Sequence, residues 1–481
     1  MGYVLDQTKD IYKFFEEISG IPRESKHEKA VSDYLAAFAE ARGLWYRRDE
    51  WNNVFIRTEG TSGYEDHAPV LLQAHMDMVC EKRPDSDHDF GRDPLKLVIE
   101  DGRIRAEDTS LGADDGFGVA YMLAVLDDPT GERYSHPPLE CLFTVDEETG
   151  MTGASEFDTS DVKSRTLINL DSEQEGVTYV GCVCSDKTVA SKKFEKRIPC
   201  SGTVIKMTVD GITGDVYLGG VDPEVGNAIK MSFRMLASLL DDGTKIGICS
   251  AEGGTAENRN PLSCEVVFSC DEGYEAVTSR LAGRFDDMMG LYCGTEYEGK
   301  ISFSRADAAD MLSLEESSRL IRMMYLMEAN TFASDAATGK MEALHMLGVV
   351  ELDGLKCTVT GSTRARHKVV GEELRRHIRY TAEAFGFLLD CSERITPWHS
   401  DPDSAIKRLF NDVLVEKQGV PLKEEICPGG LEVSVLAGKI PGLDAITIGP
   451  THENVHTFHE YLDMKSYERT FDVLTEVLRR L

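Results

Sequence analysis

Apolar residues recur at helical spacing over residues 12–18 and again over 28–42, where Ala30, Val31, Tyr34, Leu35, Phe38 and Ala39 form one stripe. The turn I-S-G-I-P-R-E-S lies between these two helices, and Ser25 with Glu28 has capping-box spacing for the second. Short strands are expected over 44–47 and 53–57. The run V-L-L-Q-A-H-M-D-M-V over 70–79 reads as a buried strand that ends in His75 and Asp77. Residues two apart on a strand point the same way, so His75 and Asp77 can face one site. A loop over 88–108 carries a short hairpin at D-G-R-I-R. Residues 116–126 read as a buried helix, apolar almost throughout, and buried strands follow over 142–145 and 166–171.

From about Ser185 the texture changes. Residues 192–197 read as a basic, exposed strand, and 204–211 alternates as a half-buried antiparallel strand would. Helices are expected over 227–240, 274–289, 314–327 and 372–387, with strands over 264–270 and 355–360. Strands alternating with helices, none ending in clustered acids, indicate a separate α+β domain. After Thr396 the buried-strand texture returns. Residues 405–418 read as a helix, L-D-A-I-T-I-G-P as a strand, and 465–481 as a closing helix. The simplest organisation is one catalytic α/β domain in two halves, 1–185 and 392–481, with a second domain inserted over 186–391. A chain of 481 residues is too long for one ordinary core, so two domains are also the default from length.

Acids collect where the buried strands run out. Asp146, Glu147 and Glu148 follow one strand, Asp171 ends another, and Asp114-Asp115 sit in a Gly-rich turn that opens a helix. The carboxyl edge of an α/β sheet is where such folds build sites. So many carboxylates in one place repel each other unless cations hold them. Near the C-terminus, T-H-E-N-V-H-T-F-H-E supplies His452, His456 and His459. Imidazole and carboxylate together suit zinc-class ions. Two ions roughly 3.5–4 Å apart can share a water and polarise a carbonyl.

The chemistry assigns Asp114 as a bridge between two ions, His75 and Asp171 to one, and Glu148 and His456 to the other. Glu147 is the free base, with a pKa raised by its surroundings, and Asp77 accepts the other ring N–H of His75 and fixes its tautomer. Each residue also has a bland reading. H-x-D can be a buried hydrogen-bonded pair, D-E-E a solvated turn, Asp171 a helix cap and His456 a surface histidine like its neighbours. Five candidates at the ends of buried strands make the bland readings improbable as a set.

Composition narrows the partners. The net charge is −32, which argues against nucleic acid and anionic membrane. No stretch approaches the run of about 18 apolar residues that spans a bilayer. The first ten residues carry no apolar leader core, and the 12 cysteines are scattered singly, as expected of reduced thiols in a cytoplasmic protein. Cys182-x-Cys184 lacks the spacing of a structural zinc site and reads as strand packing.

At this point the chain resembles the bacterial aminoacyl-histidine dipeptidases, the peptidase D group of the carnosinase-like co-catalytic zinc peptidases. The matching segments are I-P-R-E-S-K-H-E from Ile21, Q-A-H-M-D-M-V from Gln73 and T-S-L-G-A-D-D-G-F-G from Thr109. They continue with T-V-D-E-E-T-G-M-T-G-A from Thr144, L-I-N-L-D-S-E-Q-E-G from Leu167 and G-P-T-H-E-N-V-H from Gly449. They occur in the family's order and span the whole chain.

The resemblance implies a zinc-peptidase catalytic domain with a mixed central sheet flanked by helices, and an inserted α+β lid that carries a homodimer contact. It implies hydrolysis of small peptides, dipeptides of the Xaa-His type, with two zinc ions per chain that manganese or cobalt could replace. Its metal and base positions coincide with those above. Asp115, where the family often has Asn, is left outside the ligand set.

The lid departs from the family. Val216 stands in place of a histidine thought to support the oxyanion, Leu262 in place of an arginine, and Pro428 in place of another histidine. Asn227, Asn258, Arg364 and Glu432 remain as candidate substrate contacts. Two further readings stand beside the dipeptidase: an N-acyl amino acid amidase on the same metals, and a metal-bearing protein that binds peptides without turning them over.

Overall fold

The computed structural model describes residues 3–212, 226–291, 299–336, 339, 341–395, 398–427 and 429–481. The positions of Val216 and Pro428 therefore lie outside the described residues. The chain divides into two compact units. One comprises Met1–Cys182, Trp398–Cys427 and Leu431–Leu481, and the other Val183–Pro397 with Pro428–Gly430.

The first unit is built on a six-stranded sheet. Its strands are β1 (Trp45–Arg48), β2 (Val54–Thr58), β3 (Val70–His75), β4 (Leu139–Thr144), β5 (Thr166–Asn169) and β6 (Asp444–Thr447), in the order β1-β2-β4-β3-β5-β6. The β1–β2 pair is antiparallel and joins β4 antiparallel, whereas β4, β3, β5 and β6 run parallel. The sheet is therefore mixed. Every residue of β3 and β4 is buried, as central parallel strands must be when both faces are covered.

Helices cover those faces: α1 (Asp10–Ser19), α2 (Lys29–Ala41), α3 (Ala113–Leu126), α4 (Glu432–Lys439) and α5 (Met464–Arg480). α3 is apolar all round and buried along almost its whole length. It packs with α1, α5 and the Val70, Leu72 and Ala74 face of β3 into one core. Tyr467 of α5 stacks on Tyr121 of α3 with ring centroids 4.9 Å apart.

Parallel register decides where the site falls. His75 pairs with Thr144, and Gln73 with Asn169, so three strands end side by side. Asn169 in turn pairs with Thr447. The segments after all four strands therefore leave the sheet along one edge.

The second unit carries a nine-stranded antiparallel sheet. The helices Ala228–Asp241, Tyr274–Leu291, Leu314–Leu326 and Lys368–Ala384 accompany it. Its core is a separate apolar cluster around Phe233, Phe268 and Leu320.

Several local expectations are corrected. Ser25 is not the N-cap of α2. Its hydroxyl donates to Asp77 at 2.8 Å, and Glu28 takes the cap position without a side-chain cap bond. The basic strand expected over 192–197 is the end of Cys184–Lys193, and Phe194 beyond it is buried. The strand expected over 355–360 is one arm of a long hairpin, Met341–Asp353 with Lys356–Ala365. Its two-residue turn, Gly354-Leu355, carries Gly354 at φ +53° in the first position, where a glycine takes the positive φ at little cost. Strands Ile246–Gly253, Lys300–Arg305 and Leu388–Ile395 were not anticipated. No helix among the described residues is long and apolar enough to cross a membrane.

Candidate metal and catalytic site

The site forms where the parallel strands end. His75 is the last residue of β3, and its side chain is buried. Asp114 lies in the turn that opens α3, between Gly112 in the left-handed region at φ +63° and the helix proper, and the peptide that follows it is cis. Glu147 and Glu148 begin a short helix just after β4. Asp171 follows β5, and His456 sits in an exposed turn after β6 with φ +62°.

Asp114 stands at the centre. Its Oδ1 lies 2.9 Å from His75 Nε2, and its Oδ2 lies 3.3 Å from His456 Nε2. Asp171 Oδ1 is 3.8 Å from His75 Nε2, and Glu148 Oε2 is 3.0 Å from His456 Nε2. The structure thus brings His75, Asp114, Asp171, Glu148 and His456 together. Each oxygen of one carboxylate faces a different imidazole, and each imidazole has a second carboxylate beside it.

Asp77 is completely buried and organises what surrounds it. Its Oδ1 lies 3.3 Å from His75 Nδ1 and accepts the backbone N–H of Glu147 at 3.1 Å. Its Oδ2 accepts the Glu148 N–H at 3.3 Å and the Ser25 hydroxyl. One carboxylate therefore faces the His75 ring and fixes the backbone that carries Glu147 and Glu148.

Backbone conformation and contacts separate the neighbours that the sequence places together. In the D-E-E run, Asp146 takes a positive φ of 55° and its carboxylate accepts the Thr149 and Thr152 hydroxyls. Among the three histidines, His452 is buried with Nδ1 on Pro450 O, and His459 lies against Phe458. Asp115 also approaches the centre: one of its oxygens falls within 4.8 Å of ligand atoms of His75 and Asp171. Both of its oxygens, however, accept backbone N–H groups, from His75 and Gly118, each at 3.1 Å.

The electrostatics are those of a site built for cations. Burial alone would push the His75 imidazole down, but Asp114 and Asp77 hold it well above its usual value. Burial likewise opposes protonation of His456, yet Asp114 and Glu148 push it up to about 11. Asp114 is held well below the carboxylate range by the two imidazoles despite burial. Asp171 and Glu148 are raised, first by burial and then by the Asp114 charge. Glu147 is raised well above its usual value, chiefly by burial, with Asp171, Glu148 and Glu432 adding to the shift.

The donor set fits divalent ions. In a tetrahedral site with bonds of about 2.0–2.1 Å, neighbouring ligand atoms stand about 3.3 Å apart. The nitrogen–oxygen separations of 2.9–3.8 Å bracket that spacing.

The four candidate substrate contacts divide between the two units. Glu432 opens α4 and is fully buried. Its Oε2 accepts the Thr144 hydroxyl at 2.6 Å and the Gln73 amide, whose Oε1 accepts from Asn169 at 2.7 Å. This network lies on the His75 face of β3, and burial raises the Glu432 carboxyl to about 7. Asn227, Asn258 and Arg364 belong to the second unit. Asn227 is buried as the N-cap of its helix. It accepts from Lys230 N and donates to Asn260 Oδ1 and Leu347 O. Asn258 is on an exposed turn, and Arg364 is half-buried on the strand Lys356–Ala365.

Sequence reasoning gave no role to Arg23 or Glu460. Both are buried charges packed against the Asp114 turn, and each lies inside or beside a segment that marked the resemblance.

Comparison with known proteins gives a consistent set of relatives. The profile of Peptidase family M20/M25/M40 matches residues 71–480. A cytosol non-specific dipeptidase of Escherichia coli (strain K12) is 28% identical over 475 residues, covering 98% of this chain and 97% of that protein. The crystal structure of an aminoacylhistidine dipeptidase from Vibrio alginolyticus matches with a TM-score of 0.80 at 28% identity, covering 98% of this chain and 96% of its own. A tripeptidase from Staphylococcus aureus, 17% identical with a TM-score of 0.57, covers 100% of this chain and 99% of its own, and shares the fold.

Proposed function

The chain belongs to Peptidase family M20/M25/M40, and we propose that it is a metal-dependent dipeptidase whose ions would share Asp114. His75 and Asp171 would complete the holding of one ion, Glu148 and His456 of the other. The observation that carries this reading is the placement of the two Asp114 oxygens, one against each imidazole. Zinc suits the two imidazoles and the carboxylates, with manganese or cobalt as substitutes. Two such ions, when bound, polarise the scissile carbonyl and make a water acidic enough to attack near neutral pH.

The chain's own residues do the rest. Glu147 accepts the proton of the attacking water and returns it to the leaving amine. Its buried, raised carboxyl is matched to both halves of that transfer. Asp77 holds the His75 Nδ1–H, so that Nε2 presents its lone pair. Asn227, Asn258, Arg364 and Glu432 are proposed to support the substrate. The same reading places the protein in the cytoplasm as a homodimer joined through the second unit, which light scattering would check.

Asp77→Asn is expected to weaken zinc binding and turnover by about 10–100-fold each, the usual cost of losing such an outer partner. Chelator competition and dipeptide kinetics measure the two. Unchanged zinc affinity would remove the orienting role.

The test of the function is a substrate comparison. Protein stripped with a chelator and reloaded with zinc is expected to cleave free dipeptides and to lose that activity when stripped again. Preferential cleavage of N-acylated amino acids would make it an amidase. Tight peptide binding without turnover would make it a binding protein.

A further inference from the structure

A second layer of buried charge surrounds the turn that carries Asp114. Arg23 and Glu460 are each 2% exposed. The Arg23 guanidinium donates through Nη1 to Met76 O at 3.2 Å and Asp77 O at 2.9 Å, and through Nη2 to Gly112 O. Its backbone carbonyl accepts the Met78 N–H at 3.1 Å. Arg23 thus ties the exit of β3, which carries His75 and Asp77, to the turn before Asp114.

Glu460 holds the same turn from the other side. Its Oε2 accepts the N–H groups of Leu111 at 2.7 Å and Gly112 at 3.0 Å, and its Oε1 accepts that of Ala113 at 2.8 Å. Three successive amides converging on one carboxylate form an anion nest, with Gly112 supplying the left-handed residue that turns them inward. A Cβ at Gly112 would lie 2.4 Å from Arg23 Nη2 and 2.7 Å from Met78 Sδ, so the brace occupies the space a side chain would need. Neither charge touches the imidazole–carboxylate centre, and fixing three carbonyls and three amides is more than a surface turn requires.

We propose that Arg23 and Glu460 are positioning residues for Asp114: together they set the distance between the Asp114 turn and the His75 strand end, and hence the gap that two ions must span. The inference rests on the bridging role given to Asp114 above. A bridge must hold both oxygens within about 0.5 Å of the productive geometry, and a short turn keeps that precision only when its backbone is fixed from both sides.

The test uses the full chain and three variants. Glu460→Gln keeps the size but removes the charge and turns an NH2 toward an amide donor. Arg23→Lys keeps the charge but cannot reach three carbonyls. Glu140→Gln is the matched control. Glu140 is another buried carboxylate of the same unit, which accepts the Ser164 N–H at 2.9 Å and hydroxyl at 2.7 Å and pairs with Arg57 at 3.0 Å, away from the site.

Zinc affinity is read by chelator competition, the visible spectrum after cobalt(II) loading, and the Tm without metal. All three variants are expected to lower the metal-free Tm. Only Glu460→Gln and Arg23→Lys should weaken zinc binding, by tenfold or more, and alter the cobalt spectrum. Should Glu460→Gln fail to fold, Arg23→Lys carries the same readouts. Wild-type affinity and spectrum in the variants that fold, with only Tm reduced, would overturn the brace and leave the metal site standing. A wild-type protein that takes up no divalent ion would remove the metal site itself, and this inference with it.

Discussion

Glu147→Gln is expected to lower kcat for dipeptide hydrolysis by about 10²–10⁴-fold, the range that a positioned proton carrier supplies. Glutamine keeps the shape of the side chain but cannot take a proton. Its backbone N–H would still reach Asp77 Oδ1, so the short helix that carries it should stay in place. Glu147 is not among the groups facing the imidazoles, and metal content should therefore remain at the wild-type value. The informative outcome is the split: turnover lost, metal retained. Loss of metal together with turnover would move Glu147 into the ligand set. Retained turnover would show that another group carries the proton, and Asp171 and Glu148, both raised by burial, would be the next to test.

Asp114→Asn is expected to have the largest effect on the metals. The native carboxylate stays ionised against burial because two imidazoles face it, one at each oxygen. An amide of the same shape offers one acceptor oxygen, no charge, and an NH2 group that an ion cannot use. The variant should bind at most one ion tightly, with affinity for the second lowered at least about 100-fold, consistent with the loss of a charged ligand. Turnover should fall to background. His456→Ala removes one imidazole and leaves the His75 half intact, so it should cost less. Elemental analysis after gel filtration separates the two. Two ions retained by Asp114→Asn, with an unchanged cobalt spectrum, would rule out the bridge. These outcomes also bear on function, because a protein that only carries peptides would bind them with or without this carboxylate.

Much of the first unit was legible from periodicity. The buried runs that became β3, β5 and β6 and the apolar helix α3 stand out because central strands and a fully enclosed helix tolerate few polar residues. The helix Ala405–Gln418 was read with the boundaries it has. The second unit was less legible. Strands such as Lys300–Arg305 alternate only weakly between buried and exposed positions, and Ile246–Gly253 has its register broken by a bulge. Lys300–Arg305 pairs antiparallel with Thr203–Asp210, far back in the sequence, and a bulge interrupts a local period, so both leave little local signal. The supposed cap at Ser25 shows the same limit. A serine three residues before a glutamate suits a capping box, but Asp77, 52 residues away, offers a buried carboxylate that competes for its hydroxyl.

By itself the sequence determined the chemistry available: acids and histidines placed where apolar runs stop, in a strongly acidic chain. Composition and period are local properties, and they survive without a fold. Only the tertiary structure decided which of several adjacent candidates meet. Asp146, Glu147 and Glu148 are consecutive, as are Asp114 and Asp115, and His452, His456 and His459 share one turn-rich segment. In irregular chain, one residue more or less rotates a side chain to another direction, and that direction is set with partners far along the chain: Glu28 for the Asp146 backbone, the His75 amide for Asp115, the Phe117 ring for His452. The buried brace of Arg23 and Glu460 belongs to the same class. A charge that will be buried looks like any other charge until the contacts that neutralise it are in place.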